Sequence, residues 1–193
     1  MSYKKLYEYS QTLAIPVHTN DIKKKAEELC GERVQRIRST MDPAHLQGFF
    51  LSARNLDHRL VQQCGGANVI VTPRACEKKL ERFIFAKELM HLFDTELEHT
   101  NTGADLEDVL LGFCERGVFE GKMSPQFRSE ILCQFMAAGV LCSEKRRVEL
   151  VQAANGGGTD LTGIASELQI PEKYVSIYFI PDYKGLMSFL LDR

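Results

Sequence analysis

The chain has 193 residues, with 24 Lys+Arg against 26 Asp+Glu and a formal net charge of −2. Hydrophobic residues make up 44% and charged residues 26%, a globular composition that suits one domain or one domain with a small appendage. No run of about 18 apolar residues occurs, which excludes a helical membrane span, and the near-neutral charge argues against a dedicated nucleic-acid binder.

The charge is unevenly spread. Residues 1–60 carry 10 basic and 7 acidic groups, residues 61–120 carry 6 and 11, and residues 121–193 carry 8 and 8. The acidic middle third reads as a solvated face, or as carboxylates gathered for a metal or a basic partner. Met1-Ser2-Tyr3-Lys4-Lys5 leads into no apolar stretch, so a secretory leader is not expected and a cytoplasmic location is. Cys30, Cys64, Cys76, Cys114, Cys133 and Cys142 show no C-x-x-C spacing. They are expected to be small buried apolar residues, not a disulfide framework or a zinc clip.

In chain order, Asn20-Asp21 caps an expected helix whose apolar positions are Ile22, Ala26, Leu29, Cys30, Val34, Ile37 and Met41, stopped by Asp42-Pro43. Residues 48–54, 58–64 and 67–72 read as three short strands, with Gly65-Gly66 as a turn, in an antiparallel meander. From Cys76 to Asp94 the pattern turns helical, and Leu80, Phe83, Ile84, Phe85, Leu89, Met90, Leu92 and Phe93 are apolar nearly all round, as in a buried helix. Leu106 to Phe113 reads as a short helix and Gly117 to Ser124 as a connection. Ser124-Pro125 is a cap and first turn for a strongly apolar helix to Cys142. Glu144 to Ala154 reads as another helix, ended by Asn155 and three glycines. Thr159 to Leu168 and Pro171 to Phe179 read as two short helices, and Gly185 to Leu191 as a docked strand or tail.

The chemistry sits inside the buried helix, at Lys87-Glu88-Leu89-Met90-His91. Polar groups in an apolar helix are costly unless paired. Positions 87 and 91 are four apart and share one side, Asp94 follows three later, and Glu88 lies beside that line. This is the spacing of H-E-x-x-H, in which two histidines hold zinc and the glutamate activates its bound water. Here the glutamate and the second histidine are kept, and lysine stands at the first ligand position.

The stretch Arg82-Phe83-Ile84-Phe85-Ala86-Lys87-Glu88-Leu89-Met90-His91-Leu92 resembles the core of the ImmA/IrrE family of metallopeptidases, whose usual form is R-F-x-x-A-H-E-x-x-H-L. Glu130 to Leu141 resembles the E-x-x-A-N-x-F-A-A-x-L-L pattern of the family's following helix. The resemblance spans roughly residues 20–180, in motif order as well as in motif. It implies a zinc site with His91 and Glu130 as ligands and Glu88 as the base. It also implies a protein partner such as a helix-turn-helix repressor.

Lys87 departs from that pattern, because an ammonium has no lone pair for a metal. Three readings follow. In the first, Lys87 takes the place of the cation, pairs with Glu88 and Glu130, and leaves a non-catalytic homologue that binds a protein or peptide. In the second, His91 and Glu130 hold zinc with Asp94, His99 or substrate as third ligand, in an active or weakly active endopeptidase that cleaves a transcriptional repressor. In the third, Lys87–Glu88 is only a satisfied core pair. The cofactor is accordingly none or zinc.

Residues 161–179 also resemble a helix-turn-helix, with Ala165 and Val175 where two helices pack and Ile170-Pro171 at the turn. Glu172, Lys173 and Asp182 offer no arginine for guanine or phosphate, so a packing module is expected and direct nucleic-acid binding is not. Lys145-Arg146-Arg147 reads as a solvated basic triplet, and His18, His45, His58 and His99 as ordinary histidines. Cysteine catalysis at Cys133 is not expected, since no histidine stands at a local spacing. The expected architecture is α+β: a short antiparallel sheet on a helical, metallopeptidase-like bundle over residues 1–143, with residues 144–193 as a helical segment packed on it.

Overall fold

A computed structural model describes residues 3–100 and 124–193 of the chain. Its elements, in order, are α1 (Tyr3–Ser10), α2 (Thr19–Cys30), β1 (Val34–Ser39), β2 (Phe49–Leu51), α3 (Arg59–Gln63), β3 (Asn68–Pro73) and α4 (Lys78–Met90). Two 3-10 turns follow, His91–Phe93 and Glu96–Glu98. After the undescribed segment come α5 (Pro125–Leu141), α6 (Glu144–Asn155), α7 (Leu161–Leu168), a 3-10 helix Glu172–Phe179 and α8 (Tyr183–Leu191). The expected helix at 106–113 and most of the connection at 117–124 lie outside the described residues. The class is α+β, with a small sheet beside a larger helical body, as expected.

The sheet has the order β1-β3-β2. It is mixed, not a meander: β1 runs parallel to β3, and β2 runs antiparallel to it. The reason lies at residue 31. Gly31 adopts φ 69, and its N–H closes onto the Glu27 carbonyl, so α2 stops at Cys30 instead of continuing to Met41. Glu27 then accepts the Val34 N–H through Oε1 at 2.7 Å, which starts the chain on β1. Val34 and Ile37 are three apart, which mimics a helical stripe, but both are β-branched and serve the strand.

β3 is buried along its whole length, because α4 covers one face and α3 the other, where Val61 packs with Val69 and Val71. A central strand covered on both sides reads as a continuous apolar run. The segment at 58–64 is therefore not a third strand but the single turn-and-a-half of α3, capped where His58 Nδ1 accepts the Leu60 N–H at 3.2 Å. An element this short has no period to read.

The helical body is built on α4 and α5. α4 is buried from Phe83 to Met90, and α5 lies against it. Ser124 caps α5, its Oγ accepting the Phe127 N–H at 3.2 Å, with Pro125 in the first turn. One hydrophobic cluster runs from Tyr3 and Leu6 through α4 and α5 to Tyr183, Met187 and Leu190. Those last three residues, spaced four and three apart, form the inner face of α8, so 185–191 is helix and not strand or tail. Asp182 caps it by accepting the Gly185 N–H at 3.1 Å.

The 161–179 segment is packed as a module. Ala165 and Val175 are both buried, with the turn set by Gln169 at φ 55. The second element is a 3-10 helix whose Val175, Ile177 and Tyr178 enter the core, and Tyr178 donates its hydroxyl to the Ala138 carbonyl at 3.1 Å. Arg147 is not a solvated charge as expected. It is 8% exposed, pairs with Glu144 at 2.7 Å, donates to the Tyr178 carbonyl at 3.0 Å and lies over the Tyr183 ring. Among the described residues, no helix is long and apolar enough to cross a membrane.

Candidate functional site

The site forms where the last turn of α4 meets the first turns of α5. α4 delivers Lys87 and Glu88, and His91 follows at its C-cap. A 3-10 turn brings Asp94 back beneath His91. α5 delivers Ser129, Glu130 and Cys133.

Lys87 Nζ donates to Glu88 Oε1 at 2.9 Å and makes a second, shorter contact with Glu130 Oε2. The lysine is 8% exposed and Glu88 2%. Burial pulls the Lys87 ammonium down, but the charges and hydrogen bonds of Glu88 and Glu130 outweigh it and hold the group above its ordinary range. Burial likewise pushes the Glu130 carboxyl up, and Lys87 and His91 more than reverse it, leaving it ionised. The three groups form a charged bridge across two helices, and its geometry offsets a large desolvation cost.

His91 has two different edges. On one, Nδ1–H donates to Asp94 Oδ2 at 2.7 Å, with Ser129 Oγ donating to Asp94 Oδ1 at 2.7 Å. On the other, Nε2 lies 3.3 Å from Glu130 Oε1 and 3.7 Å from Glu88 Oε2, and it makes no well-formed hydrogen bond. Burial pulls His91 down, while Cys133, Asp94 and Glu130 raise it well above the ordinary imidazole range. Asp94 and Glu130 thus serve different nitrogens of one ring, and the five residues singled out in the sequence divide into two settings. His99 stands near them, stacked on Phe50, which itself stacks on His91; burial lowers its pKa.

Above Lys87 opens a cleft of about 240 Å³. Gln47 and Gly48 line it from the approach to β2, Lys87 and Glu88 form its floor, and Glu130 and Tyr174 close the other side. Tyr174 is fixed by stacking on Phe83, with ring centroids 3.8 Å apart, and its hydroxyl lies 3.4 Å from Gln47 Oε1. Gly48 is required there: a Cβ would stand 2.5 Å from Ile84 Cγ2 and 3.1 Å from the Val71 carbonyl.

The residues on the cleft side do not fit a zinc ion. A protonated ammonium stands between the carboxylates where the ion's positive charge belongs, and only His91 Nε2 and Glu130 remain as donors. The Glu88 and Glu130 carboxylates are engaged by the Lys87 ammonium. What the site can do is hold its shape without metal and present a polar floor to a ligand.

Sequence reasoning overlooked Ser129 and treated Cys133 as core filler. The structure brings both to His91, at 3.5 and 3.6 Å from Nδ1. The available signal was their spacing of four on α5, on either side of Glu130, which sets them on one edge of that helix. Arg193 was also missed; its guanidinium pairs with Glu98 and lies 3.9 Å from Asp94 Oδ1. Comparisons with known protein families, with curated proteins and with solved structures each return no match for the chain.

Proposed function

We propose that the chain is a non-catalytic, ImmA/IrrE-like metallopeptidase homologue that binds a protein or peptide partner in the cleft and acts within the cytoplasm. One observation carries the reading: the Lys87 ammonium, bridging Glu88 and Glu130, supplies the positive charge that a zinc ion supplies in H-E-x-x-H enzymes. The motif order of α4 and α5, and the helical body they share, support it.

The cleft favours an extended peptide. Among the described residues β2 is an edge strand, bonded to β3 on one side only. An edge of this kind offers backbone donors and acceptors to an added strand, and the Gln47–Gly48 approach carries it along the cleft. A transcriptional regulator, such as a helix-turn-helix repressor, is the partner class that the resemblance suggests.

The test is hydrolysis. The purified chain with added zinc is expected to leave unfolded protein substrates intact, whereas Lys87→His is expected to gain zinc-dependent cleavage that Glu88→Gln removes. Cleavage by the unaltered chain, abolished by Glu88→Gln, would overturn the proposal.

A further inference from the structure

We propose that His91, Asp94, Ser129 and Cys133 form a buried structural zinc site behind the cleft, on the Nδ1 side of His91. It goes beyond the cleft reading and does not depend on it, since none of its ligands is Nε2 or an atom of Lys87 or Glu130.

The donor groups stand close enough to close on one ion. His91 Nδ1, the Asp94 carboxylate and Cys133 Sγ all lie within 4.8 Å of one another. Ser129 Oγ is the fourth group, and Asp94 turns Oδ2 to His91 but Oδ1 to Ser129 and Cys133; six distances relate the four groups. From Nδ1 they are 2.7 Å to Asp94, 3.6 Å to Cys133 and 3.5 Å to Ser129. The other three are 2.7 Å from Ser129 to Asp94, 3.7 Å from Ser129 to Cys133 and 4.0 Å from Cys133 to Asp94. Zinc bond lengths of about 2.0–2.3 Å in a tetrahedron require edges of about 3.3–3.6 Å. Four of the six distances are within a few tenths of an ångström of that range; the two short ones end on different Asp94 oxygens, so the carboxylate swings outward to present one of them to the ion.

The ligand chemistry agrees. One soft thiolate and one borderline imidazole beside one hard carboxylate form a mixed set that favours zinc over magnesium or calcium. Ser129 is fully buried, Cys133 is fully buried, and the Asp94 side chain is closed to solvent, so the site has no open position. That makes it structural, not catalytic.

The outer sphere is present as well. When Nδ1 binds metal, the ring keeps its proton on Nε2. That buried atom, otherwise without a hydrogen-bond partner, then donates toward Glu130 Oε1 from 3.3 Å. This is the carboxylate–histidine–metal arrangement that orients a ligating imidazole. Binding releases the Nδ1 proton and the Cys133 thiol proton to solvent. It would tie the 3-10 turn after α4 to the first turns of α5, with Arg193 left on Glu98.

Cobalt(II) and zinc added to the metal-free chain test this. One zinc per chain is expected by elemental analysis, and cobalt is expected to give a thiolate-to-metal charge-transfer band. Cys133→Ala and Asp94→Asn should each lose that band and the bound zinc, while Glu130→Gln, on the other edge of the ring, should keep both. Circular dichroism checks that each variant is folded. Absence of the cobalt band in the unaltered chain would overturn the proposal. So would a band that survives Cys133→Ala, or zinc that only Glu130→Gln removes.

Discussion

A lysine side chain carried into a helix interior keeps its charge only if carboxylates meet it there. At Lys87 two do, from two different helices, and the bridge they make is as much a packing element as an electrostatic one. Removing the ammonium leaves two carboxylates together with little solvent. Lys87→Met is expected to cost about 3–5 kcal/mol in chemical denaturation, and adding Glu130→Gln in the same chain should recover part of that loss. A loss below about 1 kcal/mol would mean that the bridge is an ordinary surface pair. That Lys87 needs a carboxylate partner was legible in the sequence, because a polar residue in an apolar helix is costly unless paired; Glu130 as the second partner was named only through the resemblance. The division of His91 between two settings was not, because which ring nitrogen faces which carboxylate is decided by the turn that returns Asp94 beneath the ring. Nothing in local spacing encodes that turn, nor the approach of Cys133 across 42 residues.

At the level of elements, the long apolar helices could be read directly. α4 and α5 carry enough side chains to show their period, and Ser124-Pro125 announces the start of α5. The failures were short or parallel: α3 has five residues, β1 pairs with a strand beyond two intervening elements, and Gly31 ends α2 through a backbone angle that periodicity does not see. The contact between the β2 approach and α4 depends on Gly48. Gly48→Ala is expected to lower stability by about 1–3 kcal/mol through overpacking against Ile84 and the Val71 carbonyl, measured by thermal or urea unfolding. An unchanged midpoint would place that segment farther from α4 than described. Arg147 joins α6 to the 3-10 helix at Tyr178 and to α8 at Tyr183. Arg147→Ala should therefore cost about 1.5–3 kcal/mol, more than loss of a solvated charge would.

Among the described residues, one hydrophobic cluster includes side chains from every helix but α3, so the segment beyond residue 143 is part of the same packed body in which the site sits. The cysteines report on that packing. Burial pushes the Cys30 thiol up to about 11 and the Cys142 thiol up to about 12, and Cys133 is raised by burial as well. Cys64 and Cys76 are part-exposed. Alkylation of the native chain at neutral pH, mapped by peptide mass spectrometry, is expected to reach Cys64 and Cys76 before Cys30, Cys133 and Cys142. Early labelling of Cys133 would mean that the region behind His91 is open. The acidic middle third is likewise placed: part of it is internal, with Glu81 held by Arg36 and Arg38, and Glu88 and Asp94 in the site.

The central claim is that the Lys87 ammonium stands where a zinc ion's charge would stand, and the most direct test counts zinc in the cleft. The unaltered chain and Lys87→His would be compared by elemental analysis, each with and without Glu130→Gln. The account predicts one more zinc per chain in Lys87→His than in the unaltered chain, with His91 Nε2 giving up its proton to bind it, lost again when Glu130→Gln is added. No gain on Lys87→His, or zinc in the unaltered chain that Glu130→Gln removes, would contradict it.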